Sequence, residues 1–300
     1  MNDLYADFST QLAAGLNLLP DKPEETTDST LRALWHAAAG LPLSASAALR
    51  AQLPTLDDAA QQRLQALLDQ RLAGTPLAHL TGRQAFLGLE LLAGPEALVP
   101  RRETELLGRT AISLARAMAD EDGDDAGQLR VVDACTGCGN LALAIAQALP
   151  GAQVVGADIS EEALALARRN AGHLALQDRV RFVAGDLLAP LDTSEFHGQV
   201  DLLTCNPPYI SSSKVAQMDA EIAAHEPVLA FDGGPLGVGI LMRLLQDAPR
   251  FLRPGGWLAF EVGLGQGSSL ARRVCASRQW RDVREVADET GTTRVITARA

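Results

Sequence analysis

Cysteines, long apolar runs and excess positive charge are all scarce or missing in this 300-residue sequence. Four cysteines are too few for a disulfide scaffold, so a reducing cytoplasm is the expected compartment. No stretch reaches the roughly 18 uninterrupted apolar residues that a transmembrane helix needs, so no membrane association is expected. Residues 1–11 carry Asp3 and Asp7 and lack a basic region followed by an apolar one, so no signal peptide is expected.

The positive charge that binding to nucleic acid requires is also missing. Acidic residues outnumber basic ones 37 to 26, the net charge is −11, and the sequence contains no basic run. Because proteins bind nucleic acid by neutralising phosphates with Lys and Arg, direct nucleic-acid binding is not expected. An acidic surface suits a small molecule or a basic protein better.

What the sequence does contain divides it into three predicted regions. Apolar residues spaced by three and four at 28–40 and 57–73 predict a small helical domain over residues 1–75. Short apolar pieces around Gly88 predict a β-hairpin linker over 76–105. From residue 106 to residue 300 strands alternate with helices, which predicts a doubly wound α/β domain whose sheet is mostly parallel.

The α/β domain is predicted to contain seven strands. They lie at 129–134, 152–158, 179–186, 200–206, 256–262, 283–289 and 292–299. Only Thr290 and Gly291 separate the last two, which leaves no room for a helix, so these two strands should form an antiparallel hairpin. The segment Gly-Asp-Asp at 123–125 predicts a short acidic loop.

Unusual residues follow the predicted strands at the edge where open parallel sheets bind ligands. The first strand runs into Asp133, Ala134, Cys135, Thr136, Gly137, Cys138 and Gly139. Its two glycines permit a tight turn and a close approach of a ligand to the backbone. The turn lacks the full G-x-G-x-x-G pattern and a Walker lysine, which disfavours NAD and ATP.

Two carboxylates extend this candidate pocket. Asp158 ends the second strand, where it could accept hydrogen bonds from ribose hydroxyls, and Asp186 ends the third, where it could accept one from an adenine amine. Either residue alone is more often a helix cap. Together with the glycine-containing turn, they favour an adenosine without a phosphate tail, namely S-adenosylmethionine.

The fourth strand ends in Asn206, Pro207, Pro208 and Tyr209, which carry the predicted reaction. Two prolines stiffen the segment and remove two backbone donors. A planar NH2 group could donate one hydrogen bond to the Asn206 side-chain oxygen and one to the Pro207 carbonyl, with Tyr209 packed on it. This predicts methyl transfer to a planar NH2 nitrogen by positioning of the nucleophile. The pattern alone leaves open which molecule carries that nitrogen.

With these motifs the chain resembles the class I S-adenosylmethionine-dependent methyltransferases. More narrowly, it resembles the protein-(glutamine-N5) methyltransferases that modify the GGQ loop of peptide chain release factors, the PrmC or HemK family. The segment VPRRETE at 99–105 is similar to the family's IPRPETE, and residues 221–237 resemble the EP…AL.GG…G stretch that follows NPPY.

The resemblance implies a Rossmann-like fold and a peptide chain release factor as the protein substrate, gripped in part by the helical domain. It implies cofactor contacts by the turn from Cys135 to Gly139, by Asp158, and by Asp186 with Leu187 beside the adenine. It also implies that Asn206 to Tyr209 hold the glutamine amide, with Asn206 bordering the cofactor as well.

The sequence departs from the family pattern at four positions. Cys135 stands where the family has Gly, Cys138 where it has Ser or Thr, Asn140 where it has Ala, and Arg102 where it has Pro. The C-x-x-C spacing invites a zinc or redox interpretation, but there is no second such pair and zinc would block the cofactor pocket, so no metal is expected.

Three alternatives remain beside glutamine methylation of a release factor. The same fold and chemistry could act on another protein or on a small-molecule amine or amide. Adenine-N6 methyltransferases of nucleic acids share a [DN]-P-P-[YF] motif, although the acidic charge counts against them. The cysteine substitutions are also compatible with an inactive binding protein.

Overall fold

The computed structural model describes residues 2–122 and 128–300, which form two compact units. Unit 1 comprises Met1–Arg102 with Met218–Pro227, and unit 2 comprises Glu103–Gln217 with Val228–Ala300. The chain therefore passes from one unit to the other three times. The short acidic loop predicted at 123–125 lies outside the described residues.

Unit 1 is helical with one hairpin. Its elements are α1 Asn2–Gly15, α2 Thr27–Ala38, α3 Ala45–Ala48, α4 Asp58–Leu72, α5 Leu77–Thr81, β1 Arg83–Phe86, β2 Leu89–Leu92 and α10 Ala220–His225. Helix α2 begins at a capping box of Thr26 and Ser29, and the Asp57 carboxylate caps α4 by accepting from the Ala60 N–H at 2.7 Å. The predicted helices and the predicted hairpin are both confirmed.

The core of unit 1 forms around α2. Leu31 and Leu34 are fully buried and Trp35 is 1% exposed, and they pack with apolar residues of α1, α3, α4 and α5. The Trp35 indole N–H donates to the Pro54 carbonyl at 2.8 Å, so its polar atom is satisfied inside the core. The spacing of three and four that predicted the helix is the spacing that turns these side chains inward.

Unit 1 contains a buried group of four charged side chains. Glu221 accepts from Lys22 Nζ at 2.8 Å and from Arg71 Nη1 at 2.8 Å, and Arg71 Nη2 lies 3.1 Å from Glu25. All four side chains are at most 4% exposed. Burial alone would raise the pKa of Glu221, but Lys22 and Arg71 lower it below its usual value. The charges balance two against two, as charges removed from water must.

A second buried ion pair holds the same short segment. Glu226 accepts from Arg101 Nη2 at 2.6 Å and from the Val99 N–H at 2.8 Å. Residues 218–227 therefore fold with unit 1, although the sequence assigned them to the methyltransferase domain. The physical reason is that Glu221 and Glu226 find their cationic partners, Lys22, Arg71 and Arg101, in unit 1.

Unit 2 is an α/β domain. Its elements are α6 Thr104–Asp122, β3 Arg130–Ala134, α7 Asn140–Ala148, β4 Gln153–Asp158, α8 Glu161–His173, β5 Val180–Ala184, β6 Val200–Cys205, α9 Ser212–Val215, α11 Gly239–Phe251, β7 Leu252–Glu261, α12 Gly267–Ala276, β8 Arg281–Ala287 and β9 Thr293–Arg299. Single 3₁₀ turns lie at Ala189–Leu191 and Val228–Ala230.

The seven strands form one sheet in the order β5-β4-β3-β6-β7-β9-β8. Strands β3 to β7 pair in parallel, whereas β9 is antiparallel to both β7 and β8. The predicted seven-stranded, mostly parallel sheet and its terminal antiparallel hairpin are confirmed. Strand β7 begins at Leu252, four residues before its predicted start at 256, because residue 252 already pairs with Val200.

Both faces of the sheet are buried. One alternating set of β-strand residues, including Val132, Leu203 and Phe260, packs into a core with α11 and α12. The other set is equally buried, and α6 packs against β6, β7 and β9. Helices on both faces are what near-continuous apolar parallel strands require. No helix in the described part of the chain is both long and apolar enough to span a membrane.

The four-charge group yields a stability prediction. Glu221→Ala leaves Lys22 and Arg71 buried without their shared partner, which should lower the unfolding free energy of unit 1 by about 3–5 kcal/mol. Urea unfolding followed by Trp35 fluorescence, in a Trp257→Phe and Trp280→Phe background, measures unit 1 alone. Asp58→Ala, which removes an exposed charge from the first turn of α4, should cost under about 1 kcal/mol. Equal effects of the two substitutions would refute the prediction.

Candidate active site

The carboxyl ends of five parallel strands define one edge of the unit 2 sheet. Strands β3, β4 and β5 succeed one another toward one side of the sheet, and β6 and β7 lie on the other side of β3. The strand order therefore reverses between β3 and β6, and ligands bind at such a reversal. The turn after β3 and the segment after β6 are neighbours at this point, because Ala134 pairs with Cys205.

The turn after β3 adopts left-handed backbone conformations. Cys135 has φ +56°, Gly137 has φ +54° and Gly139 has φ +84°. The left-handed region costs a residue with a side chain about 1–2 kcal/mol. Cys135, which stands where the family has glycine, thus occupies a conformation that favours glycine and bears that cost. A Cβ at Gly137 would meet nothing within 4 Å, so the turn leaves open space above its backbone.

Asp133 supports this turn from below. Its carboxylate is fully buried and accepts from the Thr136 hydroxyl at 2.6 Å and from the Thr204 hydroxyl at 2.8 Å. Burial raises the pKa of Asp133 to about 6, although the two hydroxyls oppose the shift. The sequence proposed Asp133 as a cofactor contact. That contact stays a prediction; in the structure each carboxylate oxygen of Asp133 accepts from a threonine, which joins the turn to β6.

Asp158, at the end of β4, faces the turn from the side. Its Oδ2 accepts from the Gly137 N–H at 2.8 Å and its Oδ1 from the Ser160 N–H at 2.9 Å. Burial raises its pKa, and the two backbone donors oppose the shift. The side chain is half-buried, and each carboxylate oxygen has a further lone pair with which to accept a hydroxyl. The open turn and this carboxylate fit the ribose of an adenosine-type cofactor.

The remaining predicted cofactor residues differ in accessibility. Asp186 is 46% exposed and pairs with Arg243 at 2.6 Å, whereas Leu187 is 5% exposed with φ +51°. Cys138 is buried, with its Sγ 3.9 Å from Asn140 Oδ1, so its side chain belongs to the packing of the turn. In the described residues no group of three or more His, Cys, Asp or Glu side chains could hold a metal ion.

The Asn206–Tyr209 segment leaves two hydrogen-bond acceptors available. The Asn206 Nδ2 donates to the Thr104 hydroxyl at 3.1 Å, so its Oδ1 is turned away from Thr104. Among the described residues, neither Asn206 Oδ1 nor the Pro207 carbonyl accepts a hydrogen bond. These are the two acceptors that the sequence predicted for a planar NH2 group.

The backbone of this segment is held by a glycine-containing loop. The Ile210 N–H donates to the Phe231 carbonyl at 3.0 Å, and the Gly233 N–H donates to the Ile210 carbonyl at 2.8 Å. A Cβ at Gly233 would lie 2.5 Å from the Pro208 carbonyl oxygen, and one at Gly237 would lie 2.4 Å from that of Tyr209. The two backbones approach so closely that only glycine fits, which explains the GG…G stretch noted in the sequence.

A cluster of ionisable groups holds the Tyr209 side chain. Its hydroxyl lies 3.0 Å from Glu261 Oε1 and 3.2 Å from Glu103 Oε1, and Arg294 Nη2 lies 2.7 Å from Glu103. Burial and then the charge of Glu103 raise the pKa of Glu261 to about 7. Burial, Glu261 and Glu103 also raise the pKa of Tyr209, so its hydroxyl keeps its proton.

The sequence did not identify Thr104, Glu261 and Arg294 as site residues. Thr104 lies in the VPRRETE segment, which was noted only for its family likeness. Glu261 ends β7 just as Asp158 ends β4, so the strand-end rule that selected the aspartates could have selected it too. Arg294 carries no such signal, because an arginine in a C-terminal strand is usually an exposed residue.

Solved structures show the same fold. The N-terminal domain of human METTL16 in complex with SAH aligns with a TM-score of 0.51 at 17% identity. The alignment covers 71% of this chain and 76% of the METTL16 chain. The hMettl16 catalytic domain in complex with a MAT2A 3′UTR hairpin aligns over 83% of this chain and 85% of that one, with a TM-score of 0.53 at 14% identity. Fold and site together define a class I methyltransferase, and S-adenosylmethionine is its methyl donor.

Sequence comparison narrows the class. A methyltransferase domain family matches residues 125–286, and the PrmC N-terminal domain family matches residues 12–82. The release factor glutamine methyltransferase of Gloeobacter violaceus is 36% identical over 81% of each chain. That of Bradyrhizobium diazoefficiens is 36% identical over 92% of this chain and 89% of its own. The chain belongs to the release factor glutamine methyltransferase family.

Asp158 generates a prediction about cofactor affinity. Asp158→Ala should raise the dissociation constant for S-adenosylmethionine about tenfold or more, since a charge-assisted hydrogen bond contributes about 1.5–3 kcal/mol. Isothermal titration calorimetry measures the change. Asp192→Ala is the matched control, because Asp192 is exposed and pairs with Arg250 on the surface. An unchanged constant for Asp158→Ala would remove Asp158 from the site.

Gly233 generates a prediction about turnover. Gly233→Ala should displace the Pro208 carbonyl and lower kcat by about 10–100-fold, because small misplacements of positioning groups are costly. Steady-state methyl transfer and calorimetry together should show lower kcat with cofactor affinity unchanged. Gly172→Ala, in helix α8 with nothing within 4 Å of its added Cβ, should leave both values unaltered. Wild-type kcat in Gly233→Ala would contradict the prediction.

Proposed function

We propose that this protein transfers a methyl group from S-adenosylmethionine to the side-chain amide nitrogen of a glutamine, in the GGQ sequence of a peptide chain release factor. The observation that supports this most directly is the pair of available acceptors, Asn206 Oδ1 and the Pro207 carbonyl. A primary amide has two N–H groups, one for each acceptor. The names of the relatives supply the identity of the substrate.

In this proposal the chain acts mainly by positioning. The cofactor supplies a methyl group on a positively charged sulfur, which makes the methyl carbon electrophilic. Asn206 and Pro207 would fix the plane of the acceptor amide, Tyr209 would cover one side of it, and Pro208 would keep the segment rigid. The glutamine nitrogen loses its proton late, so no strong general base is required.

The remaining predicted roles belong to the same proposal. The turn from Cys135 to Gly139, together with Asp158, Asp186 and Leu187, would hold the cofactor, with Asp133 beneath the turn. Residues 1–75 would help to grip the release factor, residues 76–105 would link the domains, and 106–300 would carry the reaction. A cytoplasmic location is consistent with four free cysteines.

A methylation assay tests the proposal and separates it from adenine-N6 methylation. The protein is incubated with radiolabelled S-adenosylmethionine and a release factor, the same factor with its GGQ glutamine replaced by alanine, or single-stranded DNA or RNA. Label is expected in the unmodified release factor alone. Label in nucleic acid would establish the alternative substrate, and label in the alanine variant would place the modification elsewhere.

Asn206 provides the sharpest prediction for this reaction. Asn206→Ala should abolish transfer to the release factor, because it removes one of the two acceptors, while cofactor affinity should stay within a few-fold of wild type. Methyl transfer and calorimetry on the same preparation measure both quantities. Gln279→Ala, which removes an exposed amide side chain between α12 and β8, serves as the control that should remain active. Retained activity in Asn206→Ala would disprove the positioning role.

A further inference from the structure

The orientation of the Asn206 amide depends on a threonine. Thr104, the first residue of α6, is 2% exposed, and its Oγ1 lies 3.1 Å from Asn206 Nδ2. An amide side chain is nearly symmetric in shape, so the hydrogen bond decides which end faces the site. While the threonine oxygen accepts from Nδ2, the Asn206 Oδ1 is directed elsewhere and stays available.

The Thr104 hydroxyl can donate only one hydrogen bond, so its acceptor must be identified. Glu261, at the end of β7, is 1% exposed, and its Oε2 has no partner of good hydrogen-bond geometry among the described residues. The Thr104 hydroxyl lies close enough to lower the pKa of the Glu261 carboxyl, as a donor would. A buried carboxylate oxygen without a donor is costly, which gives the hydroxyl proton a strong preference for this direction.

Four groups from three other elements face Glu261. Tyr209 donates to its Oε1 at 3.0 Å, Arg294 Nη2 lies 3.7 Å from the same oxygen, and Glu103 and Thr104 complete the surroundings. Burial, followed by the charge of Glu103, raises the pKa of Glu261 to about 7, while Thr104, Arg294 and Tyr209 act in the opposite direction. The carboxyl thus changes its protonation state near neutral pH.

The two protonation states impose different hydrogen-bond directions. An ionised Glu261 can only accept, so Thr104 donates to it and must accept from the Asn206 Nδ2. A protonated Glu261 can donate to Thr104, which frees the threonine proton to point at the asparagine. The amide then prefers its opposite orientation, with Oδ1 toward Thr104 and Nδ2 toward the site, where it opposes another NH2 group.

We propose that Glu261, acting through Thr104, is the positioning residue that fixes which end of the Asn206 amide faces the methyl acceptor. The role in turnover rests on the proposed function, whereas the orientation of the amide does not. Glu261 ionised gives the competent orientation, and Glu261 neutral gives the incompetent one.

The first test is the pH dependence of methyl transfer to the release factor. Wild-type kcat should fall about tenfold for each pH unit below a midpoint near pH 7, because the ionised carboxyl is required. Glu261→Gln, a neutral replacement of the same shape, should lower kcat by about 10–100-fold and abolish this acidic limb. Glu285→Gln, which alters an exposed carboxylate of β8, should keep the wild-type profile.

Variants of Thr104 distinguish the proposed action of Glu261 through the Thr104 hydroxyl from a purely structural role of Thr104. Thr104→Val preserves the shape but removes the hydroxyl, so kcat should fall and the acidic limb should disappear. Thr104→Ser restores the hydroxyl and should restore both. Cofactor affinity should stay within a few-fold in all variants, which also verifies that each one folds. A wild-type pH profile in Glu261→Gln or Thr104→Val would overturn the proposal.

The second test does not depend on the substrate. In ¹⁵N-labelled protein, the Asn206 side-chain NH2 signal is identified by its loss in Asn206→Ala and followed against pH. It should shift with a midpoint near pH 7 in the wild type and stay constant in Glu261→Gln. A constant wild-type signal would overturn the proposal. A titrating signal without any methylation of the release factor would reject the proposed function alone.

Discussion

The arrangement of the active site depends on one buried carboxylate. Asp133 divides its two oxygens between Thr136, in the turn after β3, and Thr204, two residues before Asn206. The two segments that meet where the strand order reverses are thereby fastened to a common point inside the sheet. Burying a carboxylate without hydrogen-bond donors costs free energy, so the two threonine hydroxyls stabilise the buried Asp133, and Asp133 in turn holds the two threonines in place. The turn after β3 and the segment after β6 are consequently joined through one side chain.

The sequence predicted the architecture well for a clear physical reason. Parallel strands buried on both faces are apolar throughout, and every loop at their carboxyl edge stands out against them, as Asp158 and Asn206 do. Local pattern also identified the hairpin at Gly88 and the antiparallel strands around Gly291. Each of these correctly predicted features, whether a strand, a turn or a hairpin, is formed by residues that are close together in the sequence.

The features that were missed depend on residues far apart in the chain. Glu221 and Glu226 look like helix-surface acids until Lys22, Arg71 and Arg101 are brought to them. The hydrogen bonds of Asp133 were equally hidden, because nothing local indicated that threonines 3 and 71 positions away would donate to its oxygens. The sequence pattern identifies residues whose side chains could bind a ligand or take part in a reaction. Burial and pairing in the folded chain decide which of these side chains already have hydrogen-bond or ion-pair partners within the protein.

Because residues 218–227 fold as part of unit 1, the chain cannot be cut at one point into two complete units, which also constrains how the protein evolves. A fragment ending at Arg102 would lack Glu221 and Glu226, two of the carboxylates paired with Lys22, Arg71 and Arg101. A fragment beginning at Glu103 would carry Glu221 and Glu226 without these cations. The helical unit is therefore not an appendage that gene fusion could exchange by a single crossover. Ten residues, 218–227, lie within the sequence of unit 2 but fold as part of unit 1, so the two units must be inherited together.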